Sequence, residues 1–271
     1  MSAGNEDERV FEFIKVRKKD HLTVVTIHRP EVMNSLHIPA NKEMDAVFDE
    51  FSDDPDAWVA IITATGEKAF SAGNDLKWQT EKGIVALREG LKSLRGGFGG
   101  ITRRYDCYKP MIAAVNGLAY GGGFEIALAC DIIVAASHAT FALSEVRGGR
   151  IAGEVGVHRL PRQMPYHMAM GYILTGRPMT AEEAMRFGIV NEVAPAGELM
   201  AVAEKWASDI MACAPLAVRA AKEAILQGSG FSVDEAFAKS YPGVVKMLGS
   251  EDYVEGPRAF AEKRKPRWKG R

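Results

Sequence analysis

Three short apolar segments, separated from one another by turns and helical patterns, constrain this chain more than any other feature of its sequence. They are WVAIITAT at 58–65, PMIAAVNG at 110–117 and DIIVAA at 131–136. Apolar segments of this length are typical of buried strands. Because helical patterns such as IPANKEMDAVFDEF and GFEIALAC alternate with these strands, the sequence predicts an α/β fold.

The C-terminal part of the chain has a different pattern. TAEEAMRFG begins with a helix-capping threonine and ends at Gly188, and IVNEVA at 189–194 is the last predicted strand. From about Ala196 onward the pattern is helical to the end. The sequence therefore predicts a core at 1–195 and a C-terminal helical region at 196–271, whose many apolar helix positions indicate an oligomer interface.

The length and composition suit one large globular domain, or one domain with an appendage. The chain has 271 residues, of which 47% are hydrophobic, and a net charge of −1. A charge near zero gives no electrostatic reason to expect nucleic acid or an anionic membrane as a partner. The most apolar stretch carries Asn116, Glu125 and Asp131, so it is not expected to span a membrane.

The cysteines give an expectation about the compartment. Cys107, Cys130 and Cys213 lie far apart, and no CxxC pair occurs. Dispersed cysteines in odd number indicate reduced thiols rather than a disulfide framework or a zinc site. The charged N-terminal residues lack the apolar core of a secretory signal. The expectation is therefore a cytoplasmic protein without a bound metal.

Two glycine-containing stretches, SAGNDL at 71–76 and NGLAYGGGFEIALACDI at 116–132, follow predicted strands. The triple glycine lies between a strand and a helix, whose first N–H groups and positive dipole end would face the turn. The SAGND loop offers a second backbone N–H, and two N–H donors that converge form an oxyanion hole. The alternative is that the glycines only permit tight helix–strand packing, and on spacing alone the two interpretations are equally good.

Two glutamates lie in or next to apolar segments near these turns. Glu125 follows Gly122 by three residues, so both can share a helix face, and Glu145 follows the strand-like TFAL. A carboxylate in an apolar segment is costly unless it is paired or used. Two such groups near an oxyanion hole suit general acid/base chemistry beside an enolate. Each could instead face solvent or pair with an arginine such as Arg147 or Arg159.

Taken together and in order, the motifs make this sequence similar to the crotonase family, also called the enoyl-CoA hydratase/isomerase superfamily. The similarity covers most of the chain, from HRPEVMNSL through AFSAGNDLK, KPMIAAVNGLAYGGGFEIALACDIIVAA, TGRPMTAEEAMRFGIVNEV and APLAVRAAKEAI to SEDYVEGPRAFAEKRKPRWKGR. The GGGFEIALA segment and the C-terminal EGPRAFAEKRKPRWKGR look most like the carnitinyl-CoA dehydratase branch of that family.

The resemblance implies a spiral of repeated β-β-α units and C-terminal helices that mediate trimerisation, often as a dimer of trimers. It implies an acyl-CoA thioester substrate, with coenzyme A as part of the substrate and no other cofactor. The thioester oxygen would accept hydrogen bonds from the backbone N–H groups of Asn74 and Gly122. Coenzyme A would lie against the residues around the first loop, which are Ala72, Asp75, Leu76 and Lys77.

Phe260 and Lys263 belong to the last of these motifs, close to the basic segment EKRKPRWKGR. The resemblance implies that these two side chains reach the coenzyme A bound by a neighbouring subunit. The alternative is a solvated basic tail without a ligand.

Hydratases of the family use two glutamates, and the resemblance assigns these positions to Glu125 and Glu145. Together they would hold one water across the Cα=Cβ bond of an enoyl-CoA, so the implied activity is that of an acyl-CoA hydro-lyase. A double-bond isomerase or a thioester hydrolase remains an alternative, because one glutamate and the oxyanion hole suffice for either. A non-catalytic binding protein of this fold is disfavoured, because it would have no reason to bury two carboxylates.

The segment after the second glutamate departs from the family pattern G-x-x-P-x-x-G-G. Ala152 stands where the proline is expected, Val155 replaces one of the paired glycines, and Glu154 adds a carboxylate. Because this segment packs near the acyl chain in the family, the acyl group is left open. Arg150 and Glu154 either line a pocket for a polar or charged acyl group or form a surface ion pair on the next helix.

Overall fold

Eleven strands and eleven α-helices follow one another along residues 6–271, the part of the chain that the computed structural model describes. The strands are β1 (Glu6–Val10), β2 (Ile14–Lys19), β3 (Leu22–Ile27), β4 (Val59–Ala64), β5 (Ala69–Ser71), β6 (Met111–Val115), β7 (Leu118–Tyr120), β8 (Ile132–Ala136), β9 (Thr140–Ala142), β10 (Met179–Thr180) and β11 (Glu192–Ala194). The helices are α1 (Ile38–Asp53), α2 (Leu76–Lys92), α3 (Gly122–Ala129), α4 (Gly156–Gln163), α5 (Tyr166–Thr175), α6 (Ala181–Arg186), α7 (Leu199–Met211), α8 (Pro215–Gly228), α9 (Val233–Ala238), α10 (Pro242–Leu248) and α11 (Glu251–Ala261). Short 3₁₀ helices include Phe98–Gly100 and Glu145–Gly148.

The strands form two sheets, and successive strand pairs divide between them. A seven-stranded sheet has the order β1-β2-β3-β4-β6-β8-β11, and a four-stranded sheet has the order β10-β9-β7-β5. In the units β4-β5-α2 and β6-β7-α3, the first strand joins the large sheet and the second joins the small one. The pair β8-β9 repeats this arrangement, and the neighbours within each series are parallel. This stacking of repeated units confirms the expected α/β spiral.

The large sheet is covered by apolar side chains on both faces, which explains the apolar sequences of β4 and β6. Both strands are buried at every residue. Alternate residues of β4 belong to two separate apolar clusters: Ile62 lies in the one that includes Phe48 of α1, and Ile61 in the one that includes Leu199 of α7. Burial of each such side chain contributes about 1.5–3 kcal/mol, so these clusters hold the strand ends in fixed positions.

The C-terminal region is helical from α7 to α11, as expected. The expectation of a helical pattern to the end of the chain is wrong for the last residues, because α11 ends at Ala261 and 264–271 form no helix. This tail packs back on the chain, since Trp268 Nε1 donates a hydrogen bond to the Ala212 carbonyl at 2.8 Å. Whether 196–271 is an oligomerisation unit separate from 1–195 stays a prediction.

The helices of residues 6–271 are each too short or too polar to cross a membrane. Cys107 and Cys130 are buried free thiols and Cys213 is an exposed one. The cytoplasmic location stays a prediction.

Candidate active site

The site forms where three neighbouring strands of the small sheet end. Strands β5, β7 and β9 are parallel neighbours, with Ser71 beside Ala119 and Tyr120 beside Ala142. Their carboxyl ends therefore meet at one edge of the sheet. The SAGND loop leaves β5, the triple glycine leaves β7, and Glu145 follows β9, so the repeated fold brings together three segments that are distant in sequence.

Glycines allow the first two of these segments to touch. Gly73 has a φ of +84°, and a Cβ there would lie 2.7 Å from the Tyr120 carbonyl oxygen and 2.8 Å from the Gly122 nitrogen. A Cβ on Gly123 would lie 2.2 Å from the Ser71 carbonyl oxygen. Real Cβ atoms do not approach so closely, so any side chain would push the loop away from α3. Tight packing is thus one reason for these glycines.

The same packing leaves two backbone donors unengaged. Asn74 forms a β-bridge with Leu36, but the two hydrogen bonds of this bridge are made by the residues on either side of Asn74. The Leu36 N–H donates to the Gly73 oxygen at 2.8 Å, and the Asp75 N–H donates to the Leu36 oxygen at 3.1 Å. Gly122 is the first residue of α3, where backbone N–H groups lack intrahelical acceptors. Within residues 6–271, no backbone oxygen accepts a hydrogen bond from the N–H of Asn74 or Gly122.

A cavity of about 330 Å³ opens beside these two residues. Apolar side chains of α2 and Phe98 form much of one wall, and the segment after β9 forms another. The cavity brings together eight of the twelve residues that the sequence singled out for a site. They are Ala72, Asn74, Leu76, Gly122, Glu125, Glu145, Arg150 and Glu154.

Glu125 lies in the first turn of α3 and is only 3% exposed. Burial raises the pKa of its carboxyl to about 8, and the nearby charges of Glu145 and Glu154 add to that rise. One oxygen is not free, because Oε1 accepts a hydrogen bond from the Gly156 backbone N–H at 2.8 Å. That bond favours the charged form and opposes the rise in pKa. Burial therefore favours the protonated form of Glu125, and the hydrogen bond from Gly156 holds the side chain in one orientation.

Glu145 begins the 3₁₀ helix that follows β9. Its Oε2 atom is buried and has no hydrogen-bond partner among the described residues. Burial raises the pKa of this carboxyl as well, while the positive charge of Arg150 opposes the rise. Gly121 makes room for the group, since a Cβ there would lie 2.8 Å from Glu145 Oε1. An unpartnered buried oxygen at a cavity wall can accept a hydrogen bond from a bound water or substrate.

Arg150 and Glu154 lie in the loop before α4 rather than on a helix, and both line the cavity. They form no ion pair with each other in the described part of the chain. Glu154 instead forms an ion pair with Arg103, in which its Oε2 atom lies 3.4 Å from Arg103 Nε. The surface ion pair considered from the sequence is thus replaced by a contact with a distant segment.

The remaining four candidates lie outside the cavity wall. Asp75 is buried, caps α2 by accepting from the Trp78 N–H at 3.1 Å, and forms a 3.0 Å ion pair with Arg29. Lys77 is exposed on α2. Phe260 is 85% exposed at the end of α11, and Lys263 is exposed just beyond it. A coenzyme A contact of these four residues stays a prediction.

Sequence reasoning missed Gly156 and Phe98. A Cβ on Gly122 would lie 2.5 Å from Phe98 Cε1, so the ring covers the first residue of α3. The family pattern with paired glycines pointed toward Gly156, but nothing in the sequence indicated its bond to Glu125. Among the described residues, no group of three or more His, Cys, Asp or Glu side chains is arranged to hold a metal ion.

Comparisons with known proteins agree with this fold. The family description for enoyl-CoA hydratase/isomerase matches residues 17–271. A carnitinyl-CoA dehydratase of Escherichia coli K12 is 45% identical over 264 residues, which are 96% of this chain and 99% of that protein. The crystal structure of an enoyl-CoA hydratase from Mycobacterium tuberculosis H37Rv is 38% identical with a TM-score of 0.88, covering 96% of this chain and 100% of its own. A carnitinyl-CoA hydratase from Mycobacterium avium is 37% identical with a TM-score of 0.74, covering 97% and 100%.

The chain therefore belongs to the enoyl-CoA hydratase/isomerase family, the crotonase family. Within that family it is similar to carnitinyl-CoA dehydratase, as the sequence motifs predicted. The prediction of an enoyl-CoA hydratase-like hydro-lyase is confirmed at the level of the family.

Proposed function

We propose that this protein adds water to the Cα=Cβ bond of an enoyl-CoA thioester, or removes it in the reverse direction. One observation carries the proposal: Glu125 and Glu145 line the same cavity as Asn74 and Gly122, whose N–H groups are unengaged. Family membership supports hydratase-type chemistry in general. The roles of these four residues are the part that we add.

The two backbone N–H groups would bind the thioester oxygen. When hydroxyl adds at Cβ, negative charge moves onto that oxygen and forms an enolate. The N–H groups of Asn74 and Gly122, with the positive end of α3, stabilise this charge more than they stabilise the neutral carbonyl. Deleting one such donor typically costs about 2.7–4 kcal/mol of transition-state stabilisation. No charged side chain is needed at this point.

The two glutamates would carry out the proton transfers. One carboxylate takes a proton from water as the oxygen bonds to Cβ, and one carboxylic acid delivers a proton to Cα. Dehydration reverses both transfers. The pair suits this chemistry because burial raises the pKa of both carboxyls, that of Glu125 to about 8, so Glu125 can hold a proton for delivery near neutral pH. The unpartnered Oε2 of Glu145 is available to a water molecule.

The coenzyme A part of the bound substrate would extend out of the cavity past Ala72 and Leu76, at the start of α2. Asp75 acts indirectly in this proposal, because its ion pair with Arg29 holds the loop that carries Asn74. Lys77 would contact coenzyme A from the exposed face of α2. Phe260 and Lys263 are exposed in the single chain and would reach the coenzyme A of a neighbouring subunit.

A homotrimer, or a dimer of trimers, would bury the exposed apolar side chains of the C-terminal helices. These side chains leave a face without a partner in the single chain, which is unfavourable in water. They are Phe231, Val233, Phe237, Val245, Leu248, Tyr253, Val254 and Phe260.

The test is incubation of the purified protein with crotonyl-CoA and with longer and branched enoyl-CoAs. Loss of enoyl absorbance, with a product heavier by one water in mass spectrometry, is the expected result. An unchanged mass with a shifted double bond would point to an isomerase, and free coenzyme A would point to a thioester hydrolase. Tight coenzyme A binding with no turnover of any thioester would favour a non-catalytic binding protein.

A further inference from the structure

The charged groups at the acyl end of the cavity are not equally available to a ligand. Glu154 is already engaged by the 98–103 segment. Its Oε2 accepts a hydrogen bond from the Phe98 N–H at 3.3 Å and from Thr102 Oγ1 at 3.2 Å, and it faces Arg103. Glu154 and Arg103 therefore neutralise each other. Their role is to hold Phe98 against the cavity, and Glu154 is not a free carboxylate for a cationic substrate.

Arg150 differs from Arg103 in this respect. Its side chain lines the same cavity and is exposed, yet no carboxylate lies within ion-pair distance of its guanidinium in the described part of the chain. Its backbone N–H donates to the Glu145 carbonyl at 3.0 Å, which fixes its distance from that glutamate. Gly148 leaves room for the guanidinium, because a Cβ there would lie 3.2 Å from Arg150 Nη2. Arg150 is thus a cation at the cavity wall that forms no ion pair with a described residue, although its charge acts on the Glu145 carboxyl from beyond ion-pair distance.

We propose that Arg150 makes this enzyme selective for enoyl-CoA substrates whose acyl group ends in a carboxylate. The inference rests on the proposed function, because it assumes that the acyl group enters this cavity. A guanidinium binds a carboxylate through two parallel hydrogen bonds, and such charge-assisted pairs are stronger and more specific than neutral ones. A cationic acyl group would be repelled by Arg150 and would find Glu154 already occupied.

The experiment compares three enoyl-CoAs of similar size and different charge. Glutaconyl-CoA ends in a carboxylate, and 5-methylhex-2-enoyl-CoA replaces the carboxylate oxygens by methyl groups. A 4-trimethylammonio-but-2-enoyl-CoA carries a positive charge. Wild type should prefer glutaconyl-CoA over the neutral analogue by about tenfold or more in kcat/KM, the ratio that one net charge-assisted contact can supply. The cationic substrate should be the poorest.

The variants Arg150→Gln and Arg150→Lys identify the residue responsible. Arg150→Gln should reduce the preference to within about threefold of unity while turnover of the neutral analogue persists. Arg150→Lys should retain part of the preference, because it keeps the charge but loses the bidentate geometry. The matched control is Arg147→Gln. Arg147 lies in the 3₁₀ helix Glu145–Gly148, three residues before Arg150, but it donates to the Thr175 carbonyl and does not line the cavity, so the ratio should not change.

The outcomes separate this inference from the proposed function. If no enoyl-CoA is hydrated, the proposed function itself fails. If the neutral and carboxylate substrates are hydrated equally well, or the cationic one best, the selectivity inference is overturned. A uniform loss of kcat for every substrate in Arg150→Gln would make Arg150 a positioning residue for Glu145 instead. A uniform weakening of coenzyme A binding, measured by calorimetry with coenzyme A alone, would place Arg150 at the phosphates and also overturn the inference.

Discussion

The carboxylate of Glu125 and the backbone N–H of Gly156 form a 2.8 Å hydrogen bond that joins α3 to the first residue of α4. The contact requires glycine, because a Cβ on Gly156 would lie 2.8 Å from the same carboxylate oxygen. The orientation of Glu125 is therefore set by a turn outside its own helix. In this account a substitution in that turn can alter the proposed chemistry without touching either glutamate.

Replacing either glutamate by glutamine should nearly abolish hydration. Glu125→Gln and Glu145→Gln keep the side-chain shape but remove the proton transfer, so kcat should fall by about 10²–10⁴. Binding of coenzyme A products should change little. The assay is loss of enoyl absorbance, with Glu182→Gln on the exposed face of α6 as control. A Glu145→Gln enzyme with near-wild-type hydration would show that one glutamate suffices, and an isomerase or hydrolase would become the better assignment.

The raised pKa of Glu125 predicts a pH dependence of stability. The folded protein holds this proton up to about pH 8, whereas the unfolded chain releases it near the ordinary value of 4.5. Between these values the native state binds more protons than the unfolded state, so stability from this group is complete at low pH and declines as pH rises toward 8. The slope from one group is at most about 1.4 kcal/mol per pH unit.

Denaturant unfolding at several pH values measures this dependence. The free energy of unfolding of the wild type, relative to that of Glu125→Gln, should decrease from pH 5 to pH 8 because glutamine does not titrate. Parallel curves for the two proteins would mean that Glu125 has an ordinary pKa in the folded state, contrary to its burial.

Val155 occupies a backbone conformation that valine rarely adopts. Its φ is +83°, in the left-handed region, and it immediately precedes Gly156. This conformation costs roughly 1–2 kcal/mol for an L-residue, and glycine adopts it without that strain. Val155→Gly should therefore leave the free energy of unfolding unchanged or raise it by up to about 1 kcal/mol. Val157→Gly, at a helical position two residues later, should instead lower it by about 1 kcal/mol. Equal destabilisation by both changes, measured by thermal unfolding, would argue against strain at Val155.

Much of the fold could be predicted because its signals are local. The apolar sequences of β4, β6 and β8 reflect their burial, and the Thr180 capping box marks the start of α6. Two elements carry weaker local signals. Strand β1 has the charged sequence EDERV of an edge strand and gave no apolar pattern. Helix α2 begins at Leu76 and is interrupted by a kink at Gly83, which has a φ of +84°.

The residues alone predicted the site best where neighbours in sequence are also neighbours in space, and the family resemblance supplied the assignment of residues from distant segments. The spacing from Gly122 to Glu125 follows from helix geometry, and both residues line the cavity. The partner of Glu154 could not be predicted in this way, because Arg103 is fifty-one residues earlier (154 minus 103) and reaches it only through the packing of the 98–103 segment. The ion pair of Asp75 with Arg29 could not be predicted in this way either, because the two residues lie far apart in sequence.

The apolar face of the C-terminal helices predicts an assembly. Phe237 on α9 is 90% exposed and Phe260 on α11 is 85% exposed, whereas the other exposed aromatic side chains of the described residues reach at most 61%. Sedimentation velocity at micromolar concentration should give a trimer or a hexamer. Phe260→Ser should shift the distribution toward smaller species, with Tyr166→Ser on α5 as the control at an exposed aromatic residue of the core. A wild-type protein that is a fully active monomer would contradict the assembly and the coenzyme A contact proposed for Phe260.

In the proposed mechanism the backbone N–H of Asn74 stabilises the enolate oxygen, and two substitutions at that one position test this role most directly. Asn74→Ala retains the N–H and removes only a side chain whose Nδ2 donates to Gln79. Asn74→Pro removes the N–H, while the bridge to Leu36 uses only the Gly73 oxygen and the Asp75 nitrogen. With circular dichroism and coenzyme A binding confirming an intact fold, we expect Asn74→Ala to keep hydration of crotonyl-CoA within about tenfold of wild type. We expect Asn74→Pro to lose about 10²–10³ in kcat. Equal activity of the two folded variants, or complete loss in Asn74→Ala, would contradict the backbone-donor account.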